Sequence, residues 1–178
     1  MSRLEFQSRR EAGLAALYLG VFATIWFSVP AAEQPLRALL VVASGAALVT
    51  AVVGAVVVAR SGQAATRDRD SDRRYLLIVL AEFAAAGIGA VGLALAGLSE
   101  FVPVLVCAVV GLHFFPLVPV LRDPLLWPLG VAMCVVALAG LVTALASAVP
   151  AGFVVGIGAG LLLLGYAVLA LVRAARRR

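Results

Sequence analysis

Six long apolar runs limit what this chain of 178 residues can fold into. The hydrocarbon core of a bilayer is about 30 Å thick, and an α-helix needs roughly 20 apolar residues to cross it. Hydrophobic residues make up 64% of the chain and its mean hydropathy is +1.13, which is too apolar for a water-soluble domain. The sequence therefore predicts an all-α, six-helix transmembrane bundle that forms one integral membrane domain over residues 1–178. The predicted spans are 12–29, 38–59, 75–97, 101–121, 125–147 and 151–172.

The arginines predict how these spans are oriented. The chain has 14 basic residues, all of them Arg, and 13 of these would lie on one side of the membrane with only Arg37 on the other. Because short loops rich in Arg face the cytoplasm, both termini are expected to be cytoplasmic in a multi-pass protein of a bacterial inner membrane. The net charge of +5 then favours anionic lipid head groups at the inner surface as partners, and not nucleic acid.

The connections between the spans are short on the expected outer side. Residues 30–37, 98–100 and 148–150 are too few to form a receptor surface. Residues 61–74 alternate Arg with Asp in part and are expected to form a flexible cytoplasmic loop. Before the first span, Ser8-Arg9-Arg10-Glu11 fits a capping box and predicts that the first helix begins near Glu11. The work of the protein is therefore expected inside the bundle or at its cytoplasmic end.

Small residues at helical spacing indicate where the spans pack together. Gly152, Gly156 and Gly160 form a tandem GxxxG pattern in the sixth span, which lets another helix backbone approach closely. A second stripe of small residues follows one face of the third span. Its members are Ala85, Gly89, Gly92 and Ala96. Glu82 lies on the same face, so this stripe predicts that the carboxyl group faces protein and not lipid.

Glu82 and His113 are the ionisable residues that lie well inside the predicted spans. A charged residue at bilayer depth costs about 2.5–3.5 kcal/mol on insertion scales, so it usually has both a partner and a use. Glu82 follows Arg74 by eight residues, about 12 Å along a helix, and His113 precedes Arg122 by nine, about 13 Å. The third and fourth spans run antiparallel through a tight turn. The two side chains are therefore expected to face each other and to exchange a proton.

Further polar groups are expected near the same depth, as a candidate ligand-binding layer. The hydroxyl-bearing members are Tyr18, Thr50 and Tyr166. In the fourth span, Pro116 and Pro119 have no N–H, so the carbonyls of Leu112 and Phe115 lose their usual helical donors. Two free acceptors and a kink beside His113 would suit a ligand or a water molecule. A hydrogen-bond network that merely joins helices is the alternative interpretation.

The run Gly-Leu-His-Phe-Phe-Pro-Leu at 111–117 resembles a His-Phe-x-Pro-Leu segment of small uncharacterised bacterial multispan proteins. The resemblance covers one span and implies no particular activity. The sequence contains no metal-ligand cluster, phosphate-binding Gly loop, CxxC or serine-hydrolase elbow, so neither a metal nor a cofactor is expected. Cys107 and Cys134 each lie in an apolar run and are expected to be packing residues.

Three functions remain open from the sequence. The first is a small permease or ligand-binding bundle with a proton-exchanging Glu82–His113 centre, for which a chain of this size would require a homo-oligomer to form a path. The second is an intramembrane enzyme that acts on a lipid or isoprenoid, with Glu82 and His113 as the general acid and base. Aromatic residues make up only 7% of the chain, which disfavours the cation-stabilising cavity of an isoprenoid enzyme. The third is a non-catalytic accessory subunit that uses its GxxxG face to hold a partner.

Overall fold

The computed structural model is all-helical, as the sequence predicts, with 88% helix. It describes residues 3–61, 69–121 and 123–176, and within these ranges there are six α-helices, one short 3-10 turn at Ser99–Phe101 and no strand. The helices are α1 (Arg3–Phe27), α2 (Leu36–Arg60), α3 (Arg69–Leu95), α4 (Val102–Leu121), α5 (Leu126–Ala146) and α6 (Ala151–Arg176).

Two helix starts differ from the prediction. Helix α1 begins at Arg3, so Ser8 lies inside the helix and the predicted capping box is wrong. Helix α3 begins at Arg69, so the last six residues of the predicted loop 61–74 are helical. Both extensions are rich in charged residues, which the apolar pattern of a membrane span does not include. Residues 62–68 of that loop lie outside the described residues.

Five of the helices, α2 to α6, are long and apolar enough to cross a membrane, which makes the chain a multi-pass membrane protein. Helix α1 is different because five of its first nine residues are charged. Its apolar remainder, 12–27, is 16 residues long, shorter than the roughly 20 that a span requires. The sixth span therefore stays a prediction.

The described chain groups into two compact units. Unit 1 comprises Met1–Ser28, Ala32–Thr66 and Gly160–Arg178. Within it, α1 and α2 run antiparallel with their backbones almost touching. A Cβ atom on Gly54 would lie 2.6 Å from the carbonyl oxygen of Gly13 and 2.6 Å from the nitrogen of Leu17, and one on Gly20 would lie 2.8 Å from the Ala47 oxygen. Only glycine fits at such crossings.

Unit 2 comprises Val29–Ala31 and Arg67–Ala159. Helices α4 and α5 cross in it by the same device, because a Cβ on Gly130 would lie 2.8 Å from the Gly111 oxygen, and one on Gly111 would lie 3.0 Å from the Cys134 nitrogen. The first part of α6 packs on α5, where Val155 fills the space beside Gly140. Helix α4 continues through both of its prolines without a break.

Helix α3 ends in a turn that returns the chain directly into α4. Gly97 has a φ of +73°, a left-handed conformation that glycine adopts without strain. The N–H of Leu98 donates to the Leu93 oxygen at 2.8 Å and that of Gly97 to the Ala94 oxygen at 3.1 Å, the two bonds of a Schellman motif. The 3-10 turn and α4 follow at once. This tight return makes α3 and α4 antiparallel neighbours and sets which residues lie side by side.

Candidate functional site

Glu82 on α3 and His113 on α4 lie side by side in unit 2. Glu82 Oε2 is 3.1 Å from His113 Nδ1, and the side chains are 17% and 10% exposed. The short turn at Gly97 explains the meeting, because residues at similar distances from it along antiparallel helices come to the same level. The close approach expected from matched depth is therefore present, although what the pair does is a separate question.

The two side chains approach closely without the geometry of a hydrogen bond. His113 Nδ1 is buried and has no hydrogen-bond partner of suitable angle among the described residues, despite its 3.1 Å distance from the carboxylate. The imidazole also interacts with the backbone of Ile78, one helical turn before Glu82. The imidazole ring thus lies next to two groups of α3, the Glu82 carboxyl group and the backbone of Ile78.

Either partner can hold the proton in this arrangement. A neutral imidazole has one donor and one acceptor nitrogen, whereas its protonated form has two donors. A carboxylate only accepts, and a carboxylic acid donates through its single O–H. Each side chain can therefore act as a donor or as an acceptor, depending on its protonation state.

The small-residue stripe is not what turns Glu82 inward. Ala85, Gly92 and Ala96 are exposed, and a Cβ on Gly92 would meet nothing within 4 Å, so the prediction that this stripe forms the contact is wrong. Gly89 does pack, against the Leu105 side chain. The half-buried face of α3 instead runs through Tyr75, Ile78, Val79, Glu82, Ala86, Gly89, Ala90 and Leu93. Ala85 and Gly92 lie about 60–80° round the helix from Glu82, just outside one edge of that face.

The hydroxyl groups of the predicted polar layer lie in unit 1. Tyr18 is 55% exposed. The Thr50 hydroxyl donates to the Ala46 oxygen of its own helix at 2.8 Å, and Tyr166 is half-buried with a partner of its own. Glu82 and His113 belong to unit 2. The polar layer therefore stays a prediction.

Leu112 and Phe115, the predicted carbonyl acceptors, flank His113 on α4. The Leu112 side chain is exposed. The Phe115 ring packs edge-on against Trp127, with ring centroids 6.1 Å apart, while the His113 ring lies edge-on to Phe114 at 5.9 Å. Helix α4 therefore directs one aromatic toward α5 and the imidazole toward α3.

The predicted packing glycines of α6 all lie at close contacts or in buried positions. A Cβ on Gly152 would lie 3.3 Å from Val29 Cγ1, and one on Gly160 would lie 2.7 Å from the Phe27 ring. Gly156 is buried. These contacts are made to side chains, whereas the backbone-to-backbone crossings occur in other helices.

Those crossings were missed from the sequence, although it carries a signal for them. The pattern of small residues three to seven apart that marks α6 also occurs in the two hairpins. It comprises Gly13, Ala16, Gly20 and Ala23 in α1, Ala47, Ala51 and Gly54 in α2, and Gly130, Ala137 and Gly140 in α5. Small residues are so common in this chain that the pattern occurs in several helices. Which of these positions contact another helix depends on the register of the helix that faces them.

A cavity of about 210 Å³ lies elsewhere in unit 2, at the end that carries the connections 29–31, 96–101 and 147–150. Its lining consists of Val29, Ala31, Ser99, Glu100, Pro103, Pro150, Gly152 and Phe153. Neither Glu82 nor His113 is among these residues. Residues of these short connections thus line a partly open cavity that the sequence did not predict.

The described residues contain no group of three or more His, Cys, Asp and Glu side chains placed to hold a metal ion. Its long apolar helices place the chain in the class of multi-pass helical membrane proteins. Comparison with known proteins found no matching protein family, no matching curated protein and no matching solved structure. Any function must therefore be argued from the site itself.

Proposed function

We propose that this protein is a small permease or ligand-binding bundle of a bacterial inner membrane, in which Glu82 and His113 exchange a proton. The observation that carries the proposal is the 3.1 Å approach of two largely buried ionisable side chains on helices long enough to span a bilayer. Ionisable groups within membrane spans are costly, so they tend to mark proton or ligand pathways.

The proposal is tested on the purified full-length protein by following the infrared absorption of protonated carboxyl groups with pH. Glu82 is one of nine acidic residues, and Glu82→Gln is expected to remove one titrating band while the helical content stays unchanged. Glu33→Gln, at an exposed connection, serves as the matched control and is expected to leave the Glu82 band unchanged. His113→Asn is expected to shift the titration of the Glu82 band. If that band is insensitive to His113→Asn, the two groups do not exchange a proton.

Proton movement across a bilayer separates the two forms of the proposal. Vesicles containing the protein and an internal pH-sensitive dye are placed in a pH gradient with the membrane potential clamped. Flux that Glu82→Gln abolishes supports a permease, whereas a titrating carboxyl without flux supports a ligand-binding bundle. The full assembly is used, because a path through so small a chain requires more than one copy.

Orientation is proposed from the arginine count, with both termini in the cytoplasm. Single cysteines at Gln34 and Gln63, introduced one at a time into a Cys107→Ala, Cys134→Ala background, are treated in whole cells with a membrane-impermeant maleimide. Labelling is expected at position 34 only. Equal labelling of both positions would overturn the orientation.

An accessory membrane subunit is the second candidate. The specific observation in its favour is that the described cavity excludes Glu82 and His113, as expected if this pair only ties α3 to α4. In that case Glu82→Gln changes the stability of the protein, but the infrared spectrum loses no carboxyl band whose titration depends on His113.

A further inference from the structure

The cavity of unit 2 is formed where three separate connections meet. Val29 and Ala31 precede α2, Ser99 and Glu100 precede α4, and Pro150 directly precedes α6. All of its lining residues belong to the same compact unit. A site assembled from three chain segments is fixed by the fold as a whole, in contrast to a groove along one helix.

Two prolines and a glycine give this cavity its shape. Pro103 lies in the first turn of α4 and Pro150 just before α6, where a ring that fixes φ is compatible with the helix start. A Cβ on Gly152 would lie 3.3 Å from Val29 Cγ1 and 3.5 Å from Pro103 Cγ. Any larger residue at 152 would therefore narrow the space between two of the three segments.

The lining combines apolar walls with one negative charge. Glu100 is the only charged residue that lines the cavity, and no salt bridge to it occurs in the described parts of the chain. Phe153 adds an aromatic ring on the α6 side. A carboxylate and an aromatic ring within an apolar wall are the groups that recognise alkylammonium cations, through charge and through the cation–π interaction.

The size of the cavity limits the ligand. Its volume of about 210 Å³ lies below the roughly 300–1,000 Å³ of pockets for drug-sized ligands, so only a small group fits. We propose that this cavity binds a small alkylammonium group, held by Glu100 and Phe153 between the proline walls. The group belongs either to a free compound such as choline or to the head group of a membrane lipid. The site is independent of the Glu82–His113 pair, and in the proposed orientation it opens on the outer side.

Choline is the probe for the test, and 3,3-dimethylbutan-1-ol is its neutral isostere. Saturation-transfer NMR on the full-length protein in a maltoside detergent measures the dissociation constant of each. Choline is expected to bind saturably and at least about tenfold more tightly than the isostere, because only choline carries the charge. Equal binding of the two compounds would overturn the proposal.

Matched variants locate the site. Glu100→Gln is expected to weaken choline binding roughly tenfold, whereas Glu33→Gln, an exposed connection carboxylate outside the cavity lining, leaves it unchanged. Phe153→Leu is expected to weaken binding by a smaller factor, and Gly152→Val to abolish it by filling the space. Should Gly152→Val fail to fold, the comparison of Glu100→Gln with Glu33→Gln still tests the site. Equal effects of those two substitutions would mean nonspecific charge attraction and would contradict the site.

The source of the group is resolved in vesicles. Free choline is titrated into protein reconstituted in phosphatidylglycerol alone or in a mixture with phosphatidylcholine. If phosphatidylcholine displaces choline, the site holds a lipid head group. If choline binds equally well in both membranes, the ligand is a free cation. Loss of all choline binding on transfer from detergent into both bilayers would contradict the proposal.

Discussion

Helix α4 makes contacts of two different kinds on its two sides. Toward α5, the contact is backbone against backbone, at Gly111 and Gly130. Cys107 is fully buried there, and its Sγ donates to the Met133 oxygen at 3.4 Å. Toward α3, the closest polar approach is that of Glu82 to His113, and the most apolar 18-residue window of α3 contains no buried residue.

The difference follows from the solvent. Lipid is as apolar as a leucine side chain, so helices in a bilayer associate through close packing and polar contacts, without a hydrophobic driving force. Helices α4 and α5 have glycines in matching register and use close packing. Helix α3 has one narrow half-buried face, so an interhelical polar pair contributes a larger share of its attachment. The less firmly packed helix is thus the one that carries the candidate site, as expected where function requires local freedom.

The largest expected effect comes from blocking the glycine crossing. Gly130→Leu is expected to lower the free energy of unfolding by roughly 3 kcal/mol or more, because its Cβ alone would meet the Gly111 oxygen at 2.8 Å. The yield of monodisperse protein and its thermal unfolding measure the effect. Gly87→Leu on α3, where a Cβ meets nothing within 4 Å, is the control and should be tolerated. Equal losses for both variants would remove the distinction between the two contacts.

A smaller substitution tests whether backbone contact at glycines also stabilises unit 1. Gly54→Ala is expected to cost about 1–3 kcal/mol, since the added methyl group would lie 2.6 Å from two backbone atoms of α1. Gly45→Ala on the same helix meets nothing within 4 Å and should be neutral or stabilising by up to about 1 kcal/mol. Unfolding in mixed detergent micelles gives both values. If Gly54→Ala destabilises the protein and Gly45→Ala does not, the α1–α2 hairpin is also held by backbone contact at glycines. If both substitutions change the free energy of unfolding in the same direction, that conclusion applies to unit 2 only.

The sequence predicted the helices well because the length and polarity of a run decide whether it spans a membrane. The starts of α1 and α3 were placed too late, since both helices continue through charged residues, from Arg3 and from Arg69. Composition marks where a span ends, but a helix does not have to end with it.

The site was predictable in part. Matched distances from Arg74 and Arg122, with a tight turn between the two spans, predicted that Glu82 lies beside His113, and the two side chains are 3.1 Å apart. The stripe through Ala85 and Gly92 gave a wrong prediction of the packed face of α3. The rotation of α3 about its axis depends on which neighbour it packs against. The cavity beside Glu100 left no pattern, since its walls come from three distant segments.

A double-mutant cycle measures what the α3–α4 pair contributes. Glu82→Ala and His113→Ala are expected to show a coupling energy of about 0.6–1.7 kcal/mol, the range of interhelical polar contacts in membranes. Glu82→Ala with Thr143→Ala is the control, because Thr143 lies 13 residues beyond Gly130 on α5, or about 20 Å along the helix. That pair should be additive within about 0.5 kcal/mol. Zero coupling between Glu82 and His113 would leave α3 held by packing alone.

The smallest expected effect distinguishes polar groups that join helices from those that do not. The Thr50 hydroxyl donates to the Ala46 oxygen of its own helix at 2.8 Å, so it ties α2 to nothing else. Thr50→Val is therefore expected to change the free energy of unfolding by less than about 0.5 kcal/mol, well below the Glu82–His113 coupling. Thr24→Val is the comparison, because Thr24 Oγ1 also lies 3.5 Å from the Ser44 oxygen on α2. A loss at Thr50 as large as that coupling would indicate a contact for its hydroxyl beyond its own helix.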